Sequence, residues 1–471
     1  MPLRTISARP LVAEDALAGL LAAIPADLGV DATFPPEALA EAEHAVAAVE
    51  LPDRDLTDLP FVTIDPPGST DLDQAMHLAR EGAGYRVLYA IADVPAFVAP
   101  GGALDAEARR RGQTIYAPTG RVPLHPPAIS ESAASLLPGQ IRSAYLWDLL
   151  LDEEGEVTSV TVGRARMRST AQLDYAAVQE SIDAGSADHA LLREIGILRV
   201  ALEEARGGAS LRVPETEVAL VDGRYVIERR SPLPVEEWNA QLSLMTGMAA
   251  ARIMLDGGVG ILRTMPEADE EAVARFRRQA TGLGTPWPDR QRYGDYLRGL
   301  DPAQPQHLAI MHAAASLFRG AGYTAFDGAA PEQATQAAVA APYAHVTAPL
   351  RRLVDRFGLV VCAALSAGED VPAWVRAALP ELPRIMASTG ALAGQVDARA
   401  LDVVEAALLA PLVGTVVEAT VLSAGKGTST VQLAEPPVTA RAQGELAPGA
   451  TVRLRVDAAD PVTATVVLVS A

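Results

Sequence analysis

The chain has 471 residues, 39 of them basic and 59 acidic, for a formal net charge of −20. That excludes a generally basic nucleic-acid coat, while an enzyme with a locally basic groove stays compatible. The length argues for two or three domains, and a lone cysteine, Cys362, excludes a disulfide framework or a cysteine-built zinc site within the chain. Met1-Pro-Leu-Arg4 leads into no apolar signal core and no membrane-spanning run follows, so a cytoplasmic protein is expected.

Residues 1–55 read as helical. Apolar positions recur over Leu11–Ile24, and Pro35-Pro-Glu37 opens a second stretch to about Val49. Ten acidic residues against three arginines make this segment a packing collar rather than a phosphate-gripping arm, with a small helix-turn-helix as the sharper alternative. Near residue 60 the period changes to two. Phe61–Asp65 reads as a strand, Pro66-Pro-Gly-Ser-Thr70 as a turn, and a second strand starts near Asp73. A hairpin turn at Glu81–Gly84 leads into Tyr85–Asp93, a buried strand. Tyr145–Asp152 and Val157–Met167 form a further hairpin through Glu153–Glu156.

From about residue 186 to 410 helices dominate: Ala190–Ala205, Glu236–Leu255, Glu267–Thr281, Leu308–Arg319, Pro349–Ser366 and a run near Ala391–Ala410. Strands followed by helices predict an α+β fold. Residues 411–471 return to short strands, at Gly414–Leu422, Ser429–Leu433, Val438–Gln443, Thr451–Asp457 and Val462–Val469. Five such strands predict an OB-fold β-barrel, in which the loop Ser423–Thr428 is best placed to grip RNA.

The densest chemical signal is Thr63-Ile-Asp65-Pro-Pro-Gly-Ser-Thr-Asp71-Leu-Asp73-Gln74. Asp71 and Asp73 are two apart, so on an extended chain both face one side, and the turn returns Asp65 to them. Like charges held this closely repel unless a cation sits between them. Oxygen donors without soft ligands suit Mg²⁺ or Mn²⁺, and paired ions of this kind cleave phosphodiesters. A solvated acidic loop is the bland alternative, and the spacing does not match an EF-hand calcium loop. Downstream, Arg351 offers a guanidinium for phosphate at a helix opened by Pro349, or else an i,i+4 pair with Asp355. Cys362 sits in an apolar run, and Trp147, Trp238, Trp287 and Trp374 read as packing residues.

These stretches resemble the ribonuclease II (RNB) family. The resemblance is carried by Phe61–Gln74, Ala90-Ile-Ala-Asp93, Leu104–Arg109, Tyr116-Ala-Pro-Thr-Gly120, Pro123-Leu-His-Pro126, Ser130–Leu136 and Tyr343-Ala-His-Val-Thr-Ala-Pro-Leu-Arg351-Arg352-Leu-Val-Asp355-Arg356. It covers about residues 52–410, with a family-like OB domain after it. The chain would then divide into a helical segment, 1–55, in place of cold-shock domains, an RNB-like catalytic domain, 56–410, and an OB-fold RNA-binding domain, 411–471. The resemblance implies processive 3′→5′ hydrolysis of single-stranded RNA to nucleoside 5′-monophosphates with Mg²⁺, by a protein expected to be a monomer.

By the same resemblance Asp65, Asp71 and Asp73 match metal-site aspartates, and Gln74 stands where the family has a fourth. Arg351 matches a phosphate contact, with Arg352 and Arg356 as further RNA-binding candidates. Tyr116 and Tyr175 match tyrosines near the 3′-terminal nucleotide. Gln241 replaces an expected glutamate, Thr335-Gln-Ala337 an H-F-G segment, and Val213–Thr216 lacks an expected aromatic. A catalytically weakened RNA-binding relative is one alternative, and a metal phosphodiesterase acting on DNA or a small nucleotide is another.

Overall fold

The computed structural model describes residues 14–209, 215–221, 224–230, 232–301, 303–314, 317, 319–436 and 438–471. Val213 and Pro214 lie outside the described residues. Two helices come first, α1 (Glu14–Asp27) and α2 (Pro36–Ala48). The strands β1 (Phe61–Ile64), β2 (Gln74–Glu81) and β3 (Gly84–Ala92) follow, then α3 (Ala103–Arg111) and a hairpin of β4 (Ile115–Ala117) and β5 (Gly120–Val122). The long strands β6 (Ile141–Leu151) and β7 (Val157–Leu173) close a five-stranded barrel in the order β1-β2-β3-β6-β7. Closure is by a parallel pairing of β1 with β7.

Alternation along β3 explains why it is buried on both faces. Tyr85, Val87, Tyr89 and Ile91 enter one apolar cluster with Trp147, while Leu88, Ala90 and Ala92 enter another with Phe61, Leu72 and Leu146. The helices α4 (Tyr175–Asp183), α5 (Ala190–Arg206) and α6 (Pro234–Asp256) cover the barrel. Of these, α6 starts at a proline, and Glu236 reaches back to the Leu233 amide at 2.8 Å, satisfying an end that the helix leaves open. A peripheral group of α7 (Glu270–Gly282), α8 (Tyr293–Arg298) and α9 (Pro305–Ala314) packs around Phe276. Then come α10 (Leu353–Ala367), α11 (Ala373–Ala378) and the 28-residue α12 (Leu382–Leu409).

The last five strands run Val416–Ala424, Thr428–Leu433, Thr439–Gln443, Thr451–Asp460 and Thr465–Ser470, and close a second barrel. The fold is thus α+β with a C-terminal OB-type barrel. This barrel does not have a core to itself. Leu17, Leu21 and Ile24 of α1, Val396, Ala400, Val404 and Leu408 of α12, and Val421, Val431 and Leu454 of the barrel form one apolar cluster. The segment before the first strand is therefore divided: α1 packs on α12, and α2 on α3.

Glu405 of α12 is 5% exposed and accepts the Thr439 amide at 3.1 Å. Burial pushes its carboxyl up to about 8; the Thr439 amide opposes this and Asp402 adds to it. The unfolded carboxyl ionises near 4.5, so between these pH values the folded chain holds the extra proton. Stability contributed here is complete below pH 4.5 and is lost as pH rises towards 8. Glu405→Gln keeps an acceptor for Thr439 and cannot ionise. Melting temperatures measured from pH 5 to 8 are expected to fall less steeply in the variant, by about a few degrees over the range. An unchanged slope would exclude Glu405 as a contributor.

Candidate active site

The first acidic loop is built by local rules. β1 ends at Ile64, the Asp65 amide is held by the Leu173 carbonyl at 3.0 Å, and Gly68, at φ 81°, turns the chain with a Ser69 to Pro66 hydrogen bond. Leu72 is fully buried, its amide bonded to Ser135 Oγ at 2.9 Å. With Leu72 directed into the core, its neighbours Asp71 and Asp73 project to the opposite side.

Asp73 is 6% exposed. Its Oδ1 accepts the Leu350 amide at 2.8 Å, and its Oδ2 faces Arg351 Nε at 3.8 Å. Burial drives its carboxyl well above the usual range; Arg351 and the Leu350 amide oppose this, and Asp355 and Asp71 add to it. Burial and Asp71 raise Asp65 to about 6, with Arg351 pulling the other way. Two of the three carboxyls are therefore short of positive charge. Asp71 differs, because its Oδ2 accepts Tyr116 Oη at 3.0 Å and its Oδ1 is paired with Arg121. Among the described residues, no three or more His, Cys, Asp or Glu side chains form a ready-made metal cluster.

Arg351 is carried by a pinned turn rather than a helix start. The helix expected from Pro349 begins at Leu353, because Asp355 accepts both the Ala348 amide at 2.7 Å and the Arg352 guanidinium at 2.8 Å. Arg352 is extended, at φ −134° and ψ 123°, and bridges Gln113, while the Leu350 amide is taken by Asp73. Asp355 pairs with Arg352, so the i,i+4 pair with Arg351 does not form, and the Arg351 side chain stays 44% exposed beside Asp73. α6 supports this turn through Gly247. A Cβ there would lie 2.1 Å from Tyr343 Cε2, so only glycine allows the approach.

The structure thus brings together Asp65, Asp71, Asp73, Arg351 and Tyr116, a residue that is 45% exposed. Tyr175 is close by: its Oη accepts from Asn239 Nδ2 at 3.3 Å, and it lies within electrostatic reach of Tyr89, as do Asp65 and Asp73. Other candidates lie elsewhere. Arg356, expected to bind RNA, is completely buried against Asp105, the Val98 carbonyl and the Trp374 ring. Arg352 is committed to Asp355. Gln74, expected among the metal ligands, gives its Nε2 to the Thr347 carbonyl at 2.8 Å, and its Oε1 accepts Tyr89 Oη. Gln241, expected near the RNA end, is 2% exposed and bonded to Glu203; Asn239 and Ser243 face the site instead, the latter 2.8 Å from Thr347 Oγ1. Thr335–Gln336 forms a short strand paired with Ala341–Pro342.

Sequence reasoning missed Arg121. It lies directly opposite Tyr116 in the β4–β5 hairpin, so both side chains leave the same face and reach Asp71. The two-residue loop Pro118-Thr119 was the available signal, since it pairs residue 116 with residue 121.

Residues 53–363 match the RNB domain, and residues 415–471 match the RNase II-type exonuclease C-terminal S1 domain. Ribonuclease R of Escherichia coli (strain K12) is 29% identical over 321 residues, covering 64% of this chain and 39% of that protein. The inactive exonuclease DIS3L2 of Arabidopsis thaliana is 43% identical over 136 residues, covering 28% of this chain and 13% of that protein. The structure of Mycoplasma genitalium RNase R in complex with ribose methylated single-stranded RNA matches with a TM-score of 0.86 at 17% identity, covering 96% of this chain and 77% of that one. The chain spans less than half the length of these two curated relatives. The RNB match alone takes in more than half of the chain and contains the whole of the carboxylate and arginine site, and on that ground the chain belongs to the RNB family.

Proposed function

We propose that this chain is a divalent-cation-dependent exoribonuclease that hydrolyses single-stranded RNA processively from the 3′ end to nucleoside 5′-monophosphates. The observation that carries the reading is the placement of Asp65 and Asp73 within electrostatic reach of both Asp71 and Arg351, beside the 45% exposed Tyr116. The donor set is oxygen only, and Asp65 and Asp73 are short of positive charge, which fits Mg²⁺ with Mn²⁺ as a substitute. Asp65, Asp71 and Asp73 would hold the ion, and the chemistry it supplies is activation of water and charge relief on the leaving oxygen. Arg351 forks onto phosphate oxygens. The Tyr116 ring stacks on the terminal base without reading its identity, an interaction of about 1–3 kcal/mol.

The C-terminal barrel extends the RNA grip, with Lys426 in an exposed loop. Among the described residues no helix is long and apolar enough to cross a membrane. The reading includes a monomer working in the cytoplasm, and the fully buried Cys362, whose thiol burial pushes up, asks for no oxidising compartment.

A catalytically weakened RNA binder is the second reading, favoured by the engagement of both ends of Gln74. A product ladder from 3′-labelled and 5′-labelled RNA, with matched DNA, run with and without EDTA, decides between them. The enzyme reading expects mononucleotides from RNA only, lost with EDTA. RNA binding without products would overturn it.

Arg351→Ala is expected to lower turnover by about 10²-fold while changing RNA affinity little, since one phosphate contact among many matters most where charge develops. Single-turnover rates at saturating RNA measure this, and full rescue by excess RNA would contradict the assigned role.

A further inference from the structure

The Asp71 carboxylate already holds a positive charge supplied by the chain itself. Arg121 Nη1 pairs with Asp71 Oδ1 while Tyr116 Oη occupies Oδ2. The same guanidinium also has a second carboxylate: Arg121 Nε donates to Glu131 Oε1 at 3.1 Å, and its Nη2 lies 2.9 Å from that oxygen. Thr70 joins both partners, accepting from Arg121 and donating to Glu131 Oε2 at 3.3 Å. The Arg121 side chain is 24% exposed, Asp71 14% and Glu131 28%, so the group lies at the wall of the site with room to rearrange.

Given the metal-site reading above, on which this step rests, we propose that Arg121 is a built-in competitor of the divalent cation at Asp71, and that Glu131 is the seat to which it withdraws. A guanidinium and a divalent ion on one small carboxylate repel each other, so one must yield. Glu131 makes yielding possible without stranding a cation, because Arg121 retains its Nε and Nη2 contacts when Nη1 leaves Asp71. Together with Gln74, which brings no charge, Arg121 makes the site less negative than the three aspartates alone imply. Its consequence is a site that fills with cation only at raised concentration.

Mn²⁺ binding to the full chain tests this without any activity readout, by the electron paramagnetic resonance signal of free Mn²⁺. Arg121→Gln is expected to tighten binding by about tenfold or more, taking the scale on which an adjacent arginine shifts the proton affinity of a carboxylate. Arg121→Lys, which keeps the charge, should stay near wild type, and melting curves check that each variant is folded. Glu131→Gln should weaken binding several-fold in the wild-type background and lose most of that effect when combined with Arg121→Gln, because it acts through the arginine. Asp71→Asn is the control for the metal site and should weaken binding. Unchanged or weaker Mn²⁺ binding by a folded Arg121→Gln, with Asp71→Asn still impaired, would overturn the competitor role and leave the metal site standing. Unaltered binding in Asp71→Asn would overturn both.

Discussion

Asp73→Asn is expected to lower RNA hydrolysis by at least about 10²–10³-fold, the scale set by removing one electrostatic element from an active site. The substitution is nearly isosteric, and the asparagine carbonyl can still accept the Leu350 amide that Asp73 holds at 2.8 Å. The turn bearing Arg351 should therefore survive. What is lost is the charge: on the proposed function a cation held by Asp73 and its neighbours would lose an anionic donor, and Arg351 loses its partner at 3.8 Å. Stability should move the other way. The buried Asp73 carboxyl is held well above its usual range, so near neutral pH its ionised form costs folding energy. An amide carries no such cost, and the melting temperature should stay level or rise. RNA affinity should also hold or increase, because one negative charge leaves the phosphate's path. Hydrolysis at the wild-type rate by a folded Asp73→Asn protein would remove Asp73 from the site.

The second large effect is on stability. Asp105→Ala is expected to destabilise the chain by about 3–5 kcal/mol, because it leaves a buried guanidinium without its partner. Arg356 has no exposed surface, and its Nη1 lies 2.5 Å from Asp105 Oδ1. Burial alone would raise the Asp105 carboxyl, but Arg356, the Gly101 amide and Arg109 outweigh it and hold the group below its usual range. The contribution belongs to the pair, so a double variant with Arg356→Met should cost less than the sum of its single changes. Urea unfolding of the four proteins measures the coupling. Rates per folded molecule should be unaffected, which separates this arginine from Arg351, five residues before it. A catalytic defect in folded Asp105→Ala would return Arg356 to the site.

The contrast between these two arginines shows where sequence reading stops. The Asp65–Asp73 loop was legible because strand end, proline-glycine turn and the apolar Leu72 between two aspartates are local facts. The C-terminal barrel was legible for the same reason, its turns and alternation lying within some sixty residues. Arg351, Arg352 and Arg356 share one motif and look equally available for RNA. Their fates are decided by Asp73, Asp355 and Asp105, and two of these partners are hundreds of residues away in the chain. The delayed start of α10 is of the same kind, since Asp73 takes the Leu350 amide and Arg352 bridges Gln113, and both partners are distant in the chain. Gln74 and Gln241 were legible as departures from a family pattern, but their partners, Tyr89, Thr347 and Glu203, come from other elements. Arg121 was hidden by its neighbourhood of small and turn residues, although hairpin register alone aligns it with Tyr116.

The Leu350 amide bonded to Asp73 has a mechanical consequence. It ties the backbone beside Arg351 to a carboxylate at the mouth of the barrel, across 277 positions of sequence. Thermal breathing of the barrel then carries the two together, as the jaws of a clamp share a pin. The gap between the Arg351 guanidinium and the Asp73 carboxylate is set by one short bond, not by the slack of two separate loops.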